Sequence, residues 1–210
     1  MKKLLLSGSS GGIGQAVKAA AAARGWSITE INRADYENPA PLAAVKTDGP
    51  FDAVVFASGT CPVRPVAQTS DELLTDTFKT NCGLFLRLMR EILTHKAYSA
   101  QGMNVVAISS VSAVEGWPGG AAYCASKGAL SAMCRAMDSE LKSKRISVTA
   151  LEPRYVKTRM FDQCAGRMGM PAEKALAPSV LADEILRLAA GVIFSSEKIT
   201  PRDEASGNRQ

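Results

Sequence analysis

Within the first twenty-five residues an apolar run, a glycine-rich turn and an alanine-rich segment follow one another, and this order restricts the fold more than anything else in the chain. Lys3–Ser7 reads as a buried strand, and Ile13–Arg24 reads as a helix stopped by Gly25. Between them lies Ser7-Gly8-Ser9-Ser10-Gly11-Gly12-Ile13-Gly14. Glycines alone make any turn. After a strand and before a helix, Gly8, Gly12 and Gly14 permit a sharp bend, close backbone approach to a pyrophosphate and tight helix–strand packing. The free amides and dipole of the helix that begins at Ile13 favour an anion.

The rest of the chain repeats the alternation. Ser27–Ile31, Phe51–Ala57, Asn104–Ser109 and Ile146–Leu151 read as strands. Leu73–Leu93, Ala122–Lys142 and Pro178–Ala190 read as helices, the first with Leu74, Phe78, Cys82, Phe85, Met89 and Ile92 along one stripe. This is the pattern of an α/β fold, a doubly wound parallel sheet of Rossmann type. No linker divides residues 1–210, so one domain is expected. Fewer than twenty residues, with Pro39, Pro41 and Pro50, separate the second strand from the third, which implies a trimmed second crossover. After Ala190 only Val192–Phe194 and Ile199-Thr200 look strand-like, and Pro201 cannot donate to a ladder. A reduced C-terminal strand and a loose tail over about 203–210 are expected.

Composition excludes several functions. The net charge is +5 and the pI near 9.0, but Lys and Arg are scattered. The densest cluster, Lys142-Ser143-Lys144-Arg145, sits where cations complement a helix C-terminus, so no nucleic-acid role is expected. Five cysteines without a Cys-x-x-Cys pair and a single histidine, His95, favour reduced thiols, no metal site and a cytoplasmic location. The basic opening Met1-Lys2-Lys3 resembles a signal peptide, yet the apolar run breaks at Ser7-Gly8, so no membrane segment is expected.

The glycine spacing, Gly-x-x-x-Gly-x-Gly, resembles that of the short-chain dehydrogenase/reductase family, and other motifs follow in the family's order. Its Asn-Asn-Ala-Gly stretch aligns with Phe56-Ala57-Ser58-Gly59, where the glycine survives. Its active-site asparagine aligns with Asn81, and its catalytic serine with Ser110, thirteen positions before Tyr123 of Tyr123-Cys-Ala-Ser-Lys127. Its Pro-Gly-x-Val-x-Thr segment aligns with Pro153-Arg154-Tyr155-Val156-Lys157-Thr158. The resemblance spans about residues 3–190.

Carbonyl reduction needs a hydride carrier and a group that moves one proton. Tyr123 and Lys127, four apart on one helix, share a face. The resemblance implies that Tyr123 is the acid/base, that Lys127 lowers its pKa and holds the nicotinamide ribose, that Ser110 binds the substrate oxygen, and that Asn81 positions a water in a relay to Lys127. Each residue also has an ordinary structural use: a surface pair, a strand-end serine, a helix-kinking asparagine. The cofactor residues expected are Gly8, Ser9, Ser10, Gly12, Ile13, Gly14, Asn32, Arg33, Asp35, Tyr36, Ala57, Ser58, Gly59, Tyr123, Lys127, Pro153, Val156 and Thr158.

NAD-preferring folds place an acid at the end of the second strand, where this chain has Asn32 and then Arg33. A guanidinium there suits a 2′-phosphate, so NADP(H) is expected over NAD. Asp35-Tyr36 resembles the family's adenine-contacting pair. Residues 61–64, Trp117, Arg154, Met160 and Phe161 are expected to line the substrate pocket, for a partly apolar carbonyl or alcohol with an acidic end near Arg154. The Met160–Ala177 stretch is short, which implies an open site. Apolar residues around Leu74–Ile92 and Ala125–Leu141 imply a homodimer, with a tetramer or a monomer as alternatives. Two other classes fit less well. A catalytically silent dinucleotide-binding sensor has no need of both Tyr123 and Lys127, and a sugar-nucleotide epimerase needs a larger C-terminal region.

Overall fold

The apolar runs are continuous because they are buried on both faces. In the computed structural model, which describes residues 1–32, 35–36, 42–168 and 172–191, five parallel strands form one sheet in the order β2-β1-β3-β4-β5. They are β1 Lys3–Ser7, β2 Ser27–Ile31, β3 Ala53–Phe56, β4 Met103–Ile108 and β5 Ile146–Leu151. Leu4, Leu5 and Leu6 are fully buried, each side chain contributing about 2 kcal/mol. Their alternation sends Leu5 to one face and Leu4 and Leu6 to the other. On the Leu4 side pack α1 (Gly12–Ala23) and the last described helix, Pro178–Ala189. On the Leu5 side pack α2 (Ala43–Asp48), α3 (Asp71–Phe78), α4 (Leu84–Thr94) and α5 (Ala121–Leu141). A further helix, α6 (Arg159–Met168), follows β5, so Pro178–Ala189 is α7.

Among the described residues the β2–β3 crossover carries a six-residue helix, α2. Strand order reverses between β1 and β3. In open α/β sheets ligands bind beyond the carboxyl ends at such a reversal. The reduced C-terminal strand, the loose tail and Arg33 lie outside the described residues.

The long helix expected over Leu73–Leu93 starts two residues earlier, where the Ser70 hydroxyl accepts from Leu73 N–H at 3.2 Å. It is also broken by a π segment, Lys79–Gly83. The extra residue rotates what precedes it by about 100°, so Cys82, Phe85, Met89 and Ile92 are buried while Leu74 is 40% exposed. Helix α6 occupies Arg159–Met168, where no element was expected. Its sequence sign was Thr158, whose Oγ1 accepts from Phe161 N–H at 3.3 Å as a cap would.

Candidate active site

At the reversal point the chain has no spare room. Gly8 has φ +83°, and a methyl added there would lie 2.6 Å from Ser58 N. One added at Gly14 would lie 2.1 Å from Gly8 O. Helix α1 begins with Gly11 as a cap that offers no side-chain acceptor and has no acid in its first turn. Its leading N–H groups are left for an anion, which is the donor set a dinucleotide pyrophosphate requires.

A hydroxyl chain ties the strand ends together beneath this turn. Ser7 Oγ shares hydrogen bonds with Tyr36 Oη at 2.8 Å and Ser58 Oγ at 2.7 Å. Tyr36 is buried, and burial pushes its phenol up to about 12, so it holds the strands as a neutral hydroxyl. The Tyr36 carbonyl accepts from the Arg87 guanidinium, and the Asp35 carboxylate accepts from Asn32 N–H at 2.6 Å. Ser9 Oγ donates to Asn32 Oδ1 at 3.1 Å. Glu30 also lies here. Its carboxylate is 2.5 Å from Lys18 Nζ, and Lys18, with the Ser9 hydroxyl, holds it below the usual carboxylate range. Sequence reading missed Glu30, because its partners lie twelve and twenty-one residues away and the expected position was the strand end.

Beyond the turn opens a cavity of about 260 Å³, lined by Ile13, Ala57, Ser58 and Gly59 on one side and by Ser110, Tyr123 and Lys127 on another. Pro153, Val156 and Thr158 border it from the segment after β5. Lys127 is buried and its Nζ donates to Ile108 O at 2.8 Å; burial lowers its pKa to about 8. Its Nζ lies 5.8 Å from the Tyr123 ring centroid. The Tyr123 phenol is held above its ordinary value by burial first and then by the neighbouring Cys61 thiol, while a hydrogen bond with Ser110 opposes them. Burial dominates at Tyr123, and with Lys127 Nζ 5.8 Å from the ring centroid the net shift is upward. The Tyr123 phenol therefore keeps its proton at neutral pH.

Asn81 is fully buried within the π segment. Its Nδ2 donates to Thr60 O at 3.0 Å and Ser126 Oγ at 2.8 Å, and its Oδ1 accepts from Thr60 N–H at 2.8 Å. Both side-chain donors are therefore committed to fastening the loop after β3 onto α5. A hydroxyl relay continues on the far side of Lys127: Ser109 Oγ donates to Lys127 O at 3.1 Å and meets Ser131 Oγ at 2.8 Å, which donates to Glu152 at 2.7 Å.

The outer wall departs from expectation. Of residues 61–64 only Cys61 lines the cavity; Arg64 N–H donates to Gly119 O at 2.9 Å, which turns the chain outside. Cys164 on α6 faces Cys61, its Sγ donating to Cys61 O at 3.5 Å. The hydrogen bond between the two thiols, with burial, pushes the Cys61 thiol well up. Trp117 packs over Gly120, 6.1 Å from the Tyr123 ring, and donates to Ser112 Oγ at 3.1 Å. Met160 and Phe161 line the cavity, as the sequence led us to expect. Arg154 is not waiting for a ligand: it makes a bidentate pair with Glu115 at 2.7 and 3.1 Å.

The family model described as short chain dehydrogenase matches residues 40–167. The chain belongs to this family. As a member it is an oxidoreductase acting between carbonyl and alcohol. Hydroxynaphthalene reductase-like protein Arp2 of Metarhizium anisopliae (strain ARSEF 549) is 29% identical over 210 residues, covering 82% of this chain and 77% of that one. The structure of 4-hydroxyisoleucine dehydrogenase complexed with NADH superposes with a TM-score of 0.77 at 20% identity, covering 90% of each chain. A Beutenbergia cavernae structure with bound NADP gives 0.73 at 21% identity, covering 90% and 89%. At these identities the two structures speak for the fold alone. Among the described residues no helix is long and apolar enough to cross a membrane, and no group of His, Cys, Asp and Glu could hold a metal ion.

Proposed function

We propose that the protein reduces a small-molecule carbonyl with NADP(H), or oxidises the alcohol in reverse, with Tyr123 giving and taking the proton. The observation that carries this reading is geometric: Tyr123, Ser110 and Lys127 line one cavity together with Ile13 of the glycine turn. The nicotinamide supplies the hydride. The uncapped start of α1, with Gly8, Ser9, Ser10, Gly12, Ile13 and Gly14, holds the pyrophosphate, and Lys127 holds the nicotinamide ribose. The carbonyl oxygen sits between Ser110 and Tyr123, which donates its proton as the oxygen becomes an alkoxide. Asn81 acts by keeping the β3 loop in register with α5, and any relay water rests on its main chain. Tyr123→Phe is expected to keep cofactor affinity and to lose about 10² or more in turnover. Unchanged turnover would end the proposal.

The preference for NADP(H) rests on Asn32-Arg33. The Glu30 carboxylate beside Ser9 favours the opposite reading, NAD(H), because a 2′-phosphate would face its charge. Lys18 neutralises that charge, which leaves Arg33 to decide. Titration of Arg33→Ala with both cofactors is expected to weaken NADPH roughly ten- to a hundredfold and NADH little. Equal losses would return the choice to NAD(H). The reading includes a cytoplasmic homodimer packed through α3, α4 and α5, where Leu74 and Leu86 are exposed. A solution mass of 22.2 kDa at micromolar concentration would reject the dimer.

A further inference from the structure

The charges of the cavity are few and already matched. Among the described residues its lining contains three charged side chains, Glu115, Lys127 and Arg154. The Lys127 ammonium is buried behind the reacting region and bonded to Ile108 O. Arg154 is held by both oxygens of Glu115, and its guanidinium lies 6.0 Å from the Tyr155 ring centroid. The two partners come from different walls, Glu115 from the β4–α5 connection and Arg154 from the segment after β5, so the pair closes the rim between them. The remaining lining of the outer part is largely apolar: Val111, Trp117, Tyr155, Met160 and Phe161.

A substrate entering this space meets apolar surface and, among the described residues, one outer cation, Arg154, that is neutralised. A carboxylate or phosphate there must shed hydration and compete with a tethered carboxylate for the same guanidinium fork. A neutral group loses nothing of the kind. Resting on the reductase reading above, we propose that the protein's substrates are uncharged, largely apolar carbonyl compounds of about aryl-ring size, and that Glu115 sets this preference by masking Arg154. Glu115 is a specificity-determining residue, and Arg154 beneath it is a latent anion site. The expectation of an acidic substrate end at Arg154 is thereby reversed. Side chains in the pair are 36% and 48% exposed, so solvent screens the mask and its effect is modest.

The test uses two aldehydes of one shape, 4-formylbenzoate and its methyl ester. The aldehyde carbon takes the hydride of NADPH and its oxygen takes the Tyr123 proton, giving the benzyl alcohol and NADP⁺. Wild-type kcat/KM is expected to favour the ester about tenfold or more. Glu115→Gln is expected to raise the carboxylate's kcat/KM roughly three- to tenfold and leave the ester's within about twofold. Glu115→Gln with Arg154→Gln is expected to abolish that gain. A second readout is calorimetric titration of each aldehyde onto protein saturated with NADP⁺, a complex that cannot react. Equal affinity and equal kcat/KM for the two aldehydes on wild type, or no gain in Glu115→Gln, overturns the proposal. Binding of neither aldehyde overturns the substrate class. Binding of the ester without turnover overturns the reductase reading instead and leaves the charge selectivity standing.

Discussion

The inner and outer halves of the cavity are built by different means. The inner half, from Gly8 to Gly14 with the end of β3, is main chain packed on main chain. A single methyl at Gly8 or Gly14 would come within 2.6 Å or 2.1 Å of backbone atoms. The outer half is side chains on connections: Trp117 over Gly120, Cys61 facing Cys164, Glu115 reaching Arg154. Backbone contacts cannot relax by changing rotamer, whereas side chains at a rim can. The inner half is therefore tied to the stability of the fold. The outer half is free to set which substrate enters.

The sharpest way to break this comparison is Gly14→Ala. The clash is with backbone, so destabilisation of at least about 3 kcal/mol and loss of cofactor binding are expected together. Denaturant unfolding and a cofactor titration on the same preparation read both. A stable Gly14→Ala protein with normal affinity would show that the turn has slack.

Lys127 stands between the halves, and its test has a pH signature. Burial lowers its pKa from 10.5 to about 8. Between those values the unfolded chain binds the proton and the folded one does not, so stability rises with pH across that window. Below about pH 8 both states are protonated and the penalty stands in full, at most about 3 kcal/mol. Lys127→Met is expected to be more stable than wild type at pH 7, after about 1 kcal/mol is lost with the Ile108 bond, and to lose that advantage by about pH 10. Its activity is expected to fall at every pH. Thermal melts at pH 7 and pH 10 decide it, and a lower melting temperature at pH 7 would contradict the buried-cation account.

The smallest effect belongs to the outer half. Trp117→Ala removes a half-buried ring at the rim, and is expected to raise KM about tenfold while moving the melting temperature by less than about 4 °C. A large drop in melting temperature would erase the distinction between the halves.

How much of this was legible follows the same division. The glycine turn could be read from sequence because its demands fall on consecutive residues, and Tyr123 and Lys127 because one helical turn relates them. Strands β1, β3 and β4 were legible because burial leaves nearly unbroken apolar runs, and the edge strands β2 and β5 by their β-branched residues. Glu115 and Arg154 are thirty-nine residues apart, and nothing local says that they meet. The same holds for Asn81 with Thr60 and for Lys18 with Glu30. Local periodicity likewise carries no sign of the π segment, since one inserted residue looks like an imperfect stripe. Helix α6 was hidden behind its cap: Thr158 had been assigned to the cofactor, and its second use as the acceptor for Phe161 N–H went unread.

That double use has a consequence for how the enzyme would load. A methyl added to Gly12 would lie 2.8 Å from Thr158 Cγ2, so the first turn of α1 and the cap of α6 already touch. A ligand whose phosphates settle on α1 presses on the residue that starts the wall of the outer half. The two sites would then be coupled through one contact, Gly12 against Thr158. The expected consequence is filling in sequence, dinucleotide ahead of carbonyl, and product-inhibition kinetics in which the oxidised and reduced dinucleotides compete for the same free form are the measurement that checks it.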